Sequence, residues 1–151
     1  MQYYALEVLT MNFDYDMGTG RNELMWKISH DEETDDLISE INKCQDVNYT
    51  DKQGVGYIDL ASMHHKVRII EALLKKGANP NGYRHNRAPL LHALGRRNDN
   101  NPEILKLFLK YGVNLDIIVN GMTIRETVYT FDFNNNPPLF RPIIEEFEST
   151  H

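Results

Sequence analysis

Apolar residues recur at helical spacing in paired segments along most of the chain. The clearest segment is IIEALLKKGANPN (69–81), in which two apolar pairs precede Gly77. The segment ILKLFLKYGVNLD (104–116) repeats the pattern, and its Gly112 lies 35 residues after the first glycine. A weaker copy, DVN (46–48), lies about one such interval upstream. This interval predicts stacked structural repeats.

The repeats divide most of the chain into four predicted units of two helices each. Their approximate bounds are 21–49, 50–82, 83–116 and 117–151. The remaining segment, 1–20, alternates apolar and polar residues over part of its length, which favours a strand or an extended arm. This segment is expected to cover one end of the stack or to serve as a recognition arm. The predicted fold is therefore all-α with an N-terminal extended segment.

Helix boundaries are also marked in the sequence. Thr34 precedes a helical pattern as an N-cap residue, and Pro102 fits the first turn of another helix. Gly77 follows a helix where a left-handed residue is expected. Asn120-Gly121 predicts a turn, and FDFNNNPP (131–138) predicts a long irregular linker.

These units resemble ankyrin repeats. In that family a turn leads to a first helix opened by Thr-Pro-Leu-His, and the second helix ends in Leu-Leu-x-x-Gly-Ala-Asp-Val-Asn. The counterparts here are GYIDLA (56–61) and APLLHA (88–93), then LLKKGANPN (73–81) and FLKYGVNLD (108–116). The resemblance covers about residues 22–148 and implies a solenoid of stacked helix-turn-helix units. Since the family's Thr–His pair ties the turn to the helix, its absence here predicts looser turns.

Charge is distributed unevenly along the chain, whose net charge is −6. Residues 1–50 carry 3 basic and 11 acidic side chains, 51–110 carry 11 and 5, and 111–151 carry 2 and 6. The basic middle is interpreted either as solvated helix faces or as a bipolar surface that steers a charged partner. The negative total argues against nucleic acid as the partner, because phosphate would be repelled.

Cysteine usage and hydropathy indicate the compartment. A single cysteine, Cys44, excludes an internal disulfide framework and fits a reducing environment. The first residues lack the basic and apolar regions of a secretory signal, and no apolar run reaches about 18 residues. We therefore expect a cytoplasmic protein, monomeric alone, without membrane association.

No motif for catalysis or metal binding is recognisable. The six histidines have no accompanying ligands at zinc-finger spacing, and the acidic run 31–36 lacks the glycine and spaced oxygens of a calcium loop. No phosphate-binding loop or catalytic triad order is present. The chain is thus expected to have no catalytic residue, metal or cofactor. The alternative is an enzyme centred on the histidines or on Cys44.

The ankyrin resemblance implies binding through a concave face made of turn tips and first helices. Aromatic, arginine and methionine side chains on such a face are the types enriched at protein interfaces. Met63 and Leu91 were open to a second interpretation, as core residues. The predicted contact residues are Lys52, Gln53, Val55, Tyr57, Asp59, Met63, Arg84, His85, Arg87, Leu91, Arg96, Asn120 and Met122.

A module of this size is expected to act by occupying its partner, as an inhibitor does. Small ankyrin-type proteins with degenerate repeats resemble the immunity proteins paired with bacterial toxins, which would make the partner a cognate toxin. In that case the acidic segment 31–46 or the C-terminal tail could occupy a basic cleft. The alternative in the same class is an adaptor that bridges two protein partners.

Overall fold

A computed structural model describes residues 18–84 and 86–151. The described chain is largely helical, with one small two-stranded sheet, as the sequence predicted for most of its length. The extended segment predicted within residues 1–20 lies, up to residue 17, outside the described residues. The helices are α1 (Glu23–His30), α2 (Asp35–Lys43), α3 (Tyr57–Met63), α4 (Val67–Lys75), α5 (Pro89–Leu94), α6 (Asn101–Lys110), α7 (Ile124–Phe131) and α8 (Arg141–Thr150).

The described helices lie in two rows. The first row contains α1, α3, α5 and α7, each of which contacts the next. The second row contains α2, α4, α6 and α8, again with contacts between successive members. The rows are joined within units, because α1 contacts α2, α3 contacts α4 and α5 contacts α6. Each helix pair therefore packs mainly on its neighbours along the chain.

The core lies between the two rows. In α4, both Ile69 and Leu73 are fully buried, and in α6 Leu105 and Phe108 are fully buried. These are the apolar faces predicted from the spacing, and their burial is confirmed. Burial of a leucine or isoleucine contributes about 1.5–3 kcal/mol relative to exposure, so these residues supply much of the stability.

The predicted helix ends are confirmed where the structure describes them. The hydroxyl of Thr34 accepts a hydrogen bond from the N–H of Leu37 at 3.2 Å and so caps α2. Gly77 has φ of 99° and Gly112 has φ of 90°, the left-handed conformation in which glycine carries no steric penalty. The chain leaves both second-row helices at these glycines.

A side-chain turn follows the second-row helix in three successive units. In each turn, the side-chain oxygen of an Asp or Asn accepts a hydrogen bond from the backbone N–H two residues later, as in an Asx turn. The three pairs are Asp46–Asn48 at 3.0 Å, Asn79–Asn81 at 2.9 Å and Asn114–Asp116 at 2.9 Å.

Hydrogen bonds also connect successive units at these turns. Oδ1 of Asn48 accepts from the N–H of Asn79 at 3.0 Å, and Oδ1 of Asn81 accepts from the N–H of Asn114 at 2.7 Å. The two bonds occupy equivalent positions in the repeat. The short polar segments therefore hold the spacing between units as well as their own turns.

The turns that precede the first-row helices form small antiparallel contacts. Thr50 pairs with Gly56, and Arg84 pairs with Arg87. In the last unit this turn is a hairpin of β1 (Ile118–Val119) and β2 (Met122–Thr123), a small sheet within the largely helical described chain. Asn120-Gly121 supplies φ values of 54° and 85°, and positive φ at both central residues suits a two-residue hairpin.

The prediction of looser turns is wrong for the turn at 51–56. Oδ1 of Asp51 accepts from the N–H groups of Gln53 at 2.8 Å and Val55 at 2.9 Å. Oδ2 of the same carboxylate pairs with Nε of Arg21 at 3.2 Å. A carboxylate thus ties this turn in place of the family's Thr–His pair.

The predicted irregular linker 131–138 contains a 3-10 turn (Asp132–Asn134). The Asp132 carboxylate accepts from the N–H groups of Leu139 at 2.8 Å, Phe140 at 2.9 Å and Arg141 at 2.8 Å. These donors lie at the start of α8, so one side chain closes the linker and caps the helix.

Candidate functional site

Two adjacent depressions lie where the turn tips meet the first-row helices. The first has a volume of about 290 Å³ and the second about 230 Å³. Leu91 and His92 of α5 line both depressions and lie at the boundary between them. We call this surface the Leu91 face. Its other lining residues are Met63, Gly95 and Arg96 in the first depression, and Asn86, Arg87, Ala88, Val119 and Asn120 in the second.

The base of the two depressions, which we call the floor, is apolar because the start of α5 is capped differently from the starts of α3 and α7. In α3 and α7, the third residue after the N-cap is acidic and accepts from the N-cap N–H. Asp59 bonds Gly56 at 2.8 Å, and Glu126 bonds Thr123 at 3.2 Å. In α5 the equivalent residue is Leu91. Since leucine cannot cap the helix, its side chain is free to line both depressions.

Met63 contributes the apolar wall of the first depression. Its side chain is 39% exposed at the end of α3. Leu91 is half-buried rather than fully buried. The interpretation of Met63 as a core residue is therefore wrong, and both side chains present apolar surface to solvent.

Arg84 and His92 meet beside the floor. Nη2 of Arg84 donates to Nε2 of His92 at 3.2 Å. Burial lowers the pKa of His92 to about 4, with the positive charges of Arg84 and Arg87 acting in the same direction. The imidazole is thus neutral near pH 7 and accepts from the guanidinium without compensating its charge.

Glycine allows the close approach of two turn tips at this point. A Cβ on Gly54 would lie 3.0 Å from Cγ of Arg84 and 3.8 Å from the carbonyl oxygen of Tyr83. The guanidinium Nε of Arg84 is buried and has no hydrogen-bond partner among residues 18–84 and 86–151. The stem of Arg84 is therefore packed against the preceding unit.

Asp59 is a buried carboxylate, 1% exposed, whose charge interacts with that of Arg84. Burial raises its pKa, whereas the N–H of Gly56 and the charge of Arg84 act to lower it. Its carboxylate accepts from the N–H of Gly56, the N-cap residue of α3. Asp59 therefore supports the surface from below and is not part of it.

The structure brings five predicted contact residues together on the Leu91 face, and a sixth, Arg84, lies beside them. The five are Met63, Arg87, Leu91, Arg96 and Asn120. Lys52 and Gln53 are exposed on the preceding turn tip, and Met122 is exposed in β2, but none of the three lines either of these two depressions. His85 lies outside the described residues.

Three of the predicted contact residues are buried. Val55 and Tyr57 are each 4% exposed, and Asp59 is the carboxylate described above. The hydroxyl of Tyr57 accepts from Nδ2 of Asn22 at 2.8 Å, and burial raises the pKa of the phenol to about 12. The prediction was wrong for these side chains. Tyr57 and Asp59 lie in α3, which packs on α1, and Val55 lies in the turn that Asp51 ties.

His92 is absent from the contact residues predicted from the sequence. It follows Leu91 on a helix opened by Pro89, beside the buried Ala93, and this position predicts a partly buried, hydrogen-bonded imidazole, as the structure has it. The signal available in the sequence was that His92 follows Arg84 by eight residues, with one turn between them. Only the folded turn shows that the two side chains meet.

Three other histidines make local contacts. His30 stacks on Trp26 with ring centroids 4.5 Å apart, and Nε2 of His65 donates to the carbonyl oxygen of Ala93 at 2.8 Å. His151 stacks on Phe147 at 4.1 Å. Within the described residues, no group of three or more His, Cys, Asp or Glu side chains is arranged to hold a metal ion. No described helix has the length and apolar composition needed to cross a membrane.

Comparison with known proteins assigns no family. No protein-family model matches the chain, and no curated protein matches it significantly.

Proposed function

We propose that this protein is an ankyrin-type binding module that acts by stoichiometric binding of another protein. The repeat assignment is supported by three features of the described chain. Helix pairs contact in chain order, left-handed glycines follow two second-row helices, and equivalent asparagines bond between units. In such an architecture the turn tips and first helices form the binding face.

The observation that carries the proposal is the Leu91 face itself. It combines the exposed Met63 and the half-buried Leu91 with the exposed arginines Arg87 and Arg96. Apolar anchors surrounded by polar groups are typical of protein interfaces. The floor rests on buried helices, so it is pre-organised, which lowers the entropic cost of association.

The module is most consistent with an inhibitor or immunity protein that neutralises a cognate toxin or enzyme in the cytoplasm. The two depressions of the Leu91 face adjoin each other on the side of the turn tips and first-row helices. Occupation of the partner would be sufficient for such a role, because blocking an active or activating surface requires no chemistry from the inhibitor. The single cysteine supports a reducing compartment.

The test is capture of the partner followed by titration of its activity. Wild-type protein and a Leu91→Glu variant are used as baits in lysate of the source cell, and the captured protein is purified. We expect the wild type to abolish the partner's activity at an equimolar end point. Leu91→Glu should weaken binding by at least about tenfold, since a charge is placed in an apolar contact.

The matched control is Lys106→Glu, an exposed substitution on α6 in the second row. It should inhibit as the wild type does, and circular dichroism should show that both variants are folded. Equal inhibition by wild type and Leu91→Glu would move the site to the acidic segment 31–46 or to the C-terminal tail. A partner whose activity is unchanged at saturation would contradict the inhibitor role.

A further inference from the structure

We propose that the Leu91 face receives an acidic segment of the partner protein. An apolar side chain of that segment occupies the depression at Met63 and Leu91, and carboxylates on both sides of it bind Arg87 and Arg96. The inference rests on the proposed function and adds the chemistry of the partner.

The charge argument comes from a contrast among the arginines. Four of them form ion pairs with carboxylates of the chain: Arg21, Arg68, Arg125 and Arg141. In the part of the chain that the structure describes, Arg84, Arg87, Arg96 and Arg97 form no ion pair. A protein of net charge −6 thus leaves its unpaired guanidinium groups in one stretch of sequence.

The positions of these groups define the shape of the ligand. Arg96 lines the first depression and Arg87 lines the second, with Leu91 and His92 between them. Nε2 of His92 accepts from Arg84 at 3.2 Å, and no carboxylate is among the residues that line the two depressions. Guanidinium groups bind carboxylates through paired N–H donors, which fixes orientation as well as charge. The arrangement fits an apolar residue flanked by acidic ones.

The same arginines could bind phosphate, but two observations favour a protein. The whole molecule has a net charge of −6, so it repels a polyanion such as nucleic acid at long range. A short acidic peptide is instead attracted locally by the arginines of the Leu91 face. The floor between the arginines is aliphatic, made by Leu91 with Met63, whereas binding of single-stranded nucleic acid uses aromatic stacking platforms.

The experiment selects peptides without assuming their sequence. Random peptides displayed on phage are selected on the full-length protein, and the strongest binder is measured by fluorescence anisotropy. We expect enrichment of Asp and Glu around a leucine, isoleucine or phenylalanine. The affinity should fall by at least about tenfold in the double variant Arg87→Glu, Arg96→Glu and should decrease with added salt.

The control is the double variant Lys76→Glu, Lys106→Glu, which reverses two exposed charges on the second row of helices. Its affinity should stay within about twofold of the wild type, because these charges lie away from the Leu91 face and are screened by solvent. A Leu91→Ser variant should weaken binding at any salt concentration, since it removes apolar contact. Thermal melting verifies that every variant is folded.

Several results would overturn the inference. Selected peptides that lack carboxylates but lose affinity in Leu91→Ser would leave the binding face in place and reject the acidic partner. Acidic peptides unaffected by Arg87→Glu, Arg96→Glu would reject the face as well. Tighter binding of single-stranded RNA, dimerisation through this face, or failure to select any peptide would also reject it.

Discussion

The third and last units use equivalent positions for different interactions. Counting from the first-row N-cap, Leu90 of α5 corresponds to Arg125 of α7. Matching the pattern ILKLFL (104–109) of α6 with IIEEFE (143–148) of α8 makes Leu109 correspond to Glu148. The leucines are 0% and 4% exposed. Arg125 and Glu148 instead form a pair at 2.6 Å, in which the two side chains are 26% and 44% exposed. An apolar layer is thus replaced by an ion pair in solvent.

The units also differ in how their segments are tied together. Between the second and third units, Asn81 bonds the backbone of Asn114. Within the last unit, the carboxylate of Asp132 binds the backbone at the start of α8. The middle units therefore depend on repeated apolar packing with small polar links, whereas the last unit depends on a few charged groups. Substitutions should affect them by different amounts and with different responses to pH and salt.

The largest difference is expected for phenylalanines at equivalent positions. Phe108 is fully buried in α6, and Phe147 is half-buried in α8. Phe108→Ala should lower the free energy of unfolding by about 3–5 kcal/mol, since it removes contacts and leaves a cavity. Phe147→Ala should cost about 1 kcal/mol, because less apolar area is lost. Urea denaturation of the full chain measures both.

The matched controls are Phe108→Leu and Phe147→Leu, which retain an apolar side chain and should recover most of the loss. Equal losses for the two alanine variants would contradict the view that the last unit is packed less deeply.

The next effect concerns Asp132. Asp132→Asn retains the size of the side chain but removes the charge that accepts three backbone N–H groups, so we expect a loss of about 1.5–3 kcal/mol. Asp36→Asn, an exposed residue in the first turn of α2, is the control and should cost less than about 1 kcal/mol. Chemical denaturation measures the two variants.

Asp132 also predicts a dependence on pH. Desolvation acts to raise the pKa of this carboxyl, but the N–H groups of Phe140 and Arg141 outweigh it and hold the pKa below the ordinary value. The folded state then binds the proton less tightly than the unfolded state. This stabilisation is present above the ordinary pKa and is lost as pH falls through the lowered one. Asp132→Asn should flatten the acid limb of the stability curve, and an unchanged limb would contradict the assignment.

A smaller loss in the free energy of unfolding is expected for substitutions of Gly77. These substitutions test the backbone conformation rather than side-chain packing. An added Cβ would meet no atom within 4 Å, so any cost comes from φ of 99°. Gly77→Val should lose about 1–3 kcal/mol because a β-branched residue is strained in this region. Gly77→Asn should lose less, since asparagine tolerates the left-handed conformation. Wild-type melting of the valine variant would show that α4 does not end as described.

Sequence patterns predicted the middle of the fold well. The spacing of Ile69 and Leu73 shows which helical face is buried, and Gly77 shows where the helix ends. These signals are local, because periodicity and a glycine conformation are properties of a short segment. The anchoring roles of Asp51 and Asp132 were not predicted, since each depends on backbone groups placed by a particular turn.

The candidate site was predicted in part for the same reason. Met63, Leu91 and Arg96 could be assigned to a first-helix surface from the repeat pattern. Val55 and Tyr57 were assigned to the same surface but are buried, and Tyr57 binds Asn22 of the preceding unit. Side-chain direction at a repeat position therefore requires knowledge of the neighbouring unit, which one segment does not supply.

The smallest expected effect is that of the Arg125–Glu148 pair. Its hydrogen bond raises the pKa of Arg125 and lowers that of Glu148, so the stabilisation is present above the ordinary pKa of glutamate and lost as pH falls through the lowered value. A double-mutant cycle of Arg125→Met and Glu148→Gln should give a coupling of about 0.5–1 kcal/mol at low salt, decreasing as salt screens the charges. The cycle of Arg141→Met and Glu145→Gln, whose ion pair is 3.5 Å long within α8, is the control and should couple more weakly. A coupling that salt does not change would show that the two side chains pack as an apolar layer, as Leu90 and Leu109 do, and would remove the contrast between the two units.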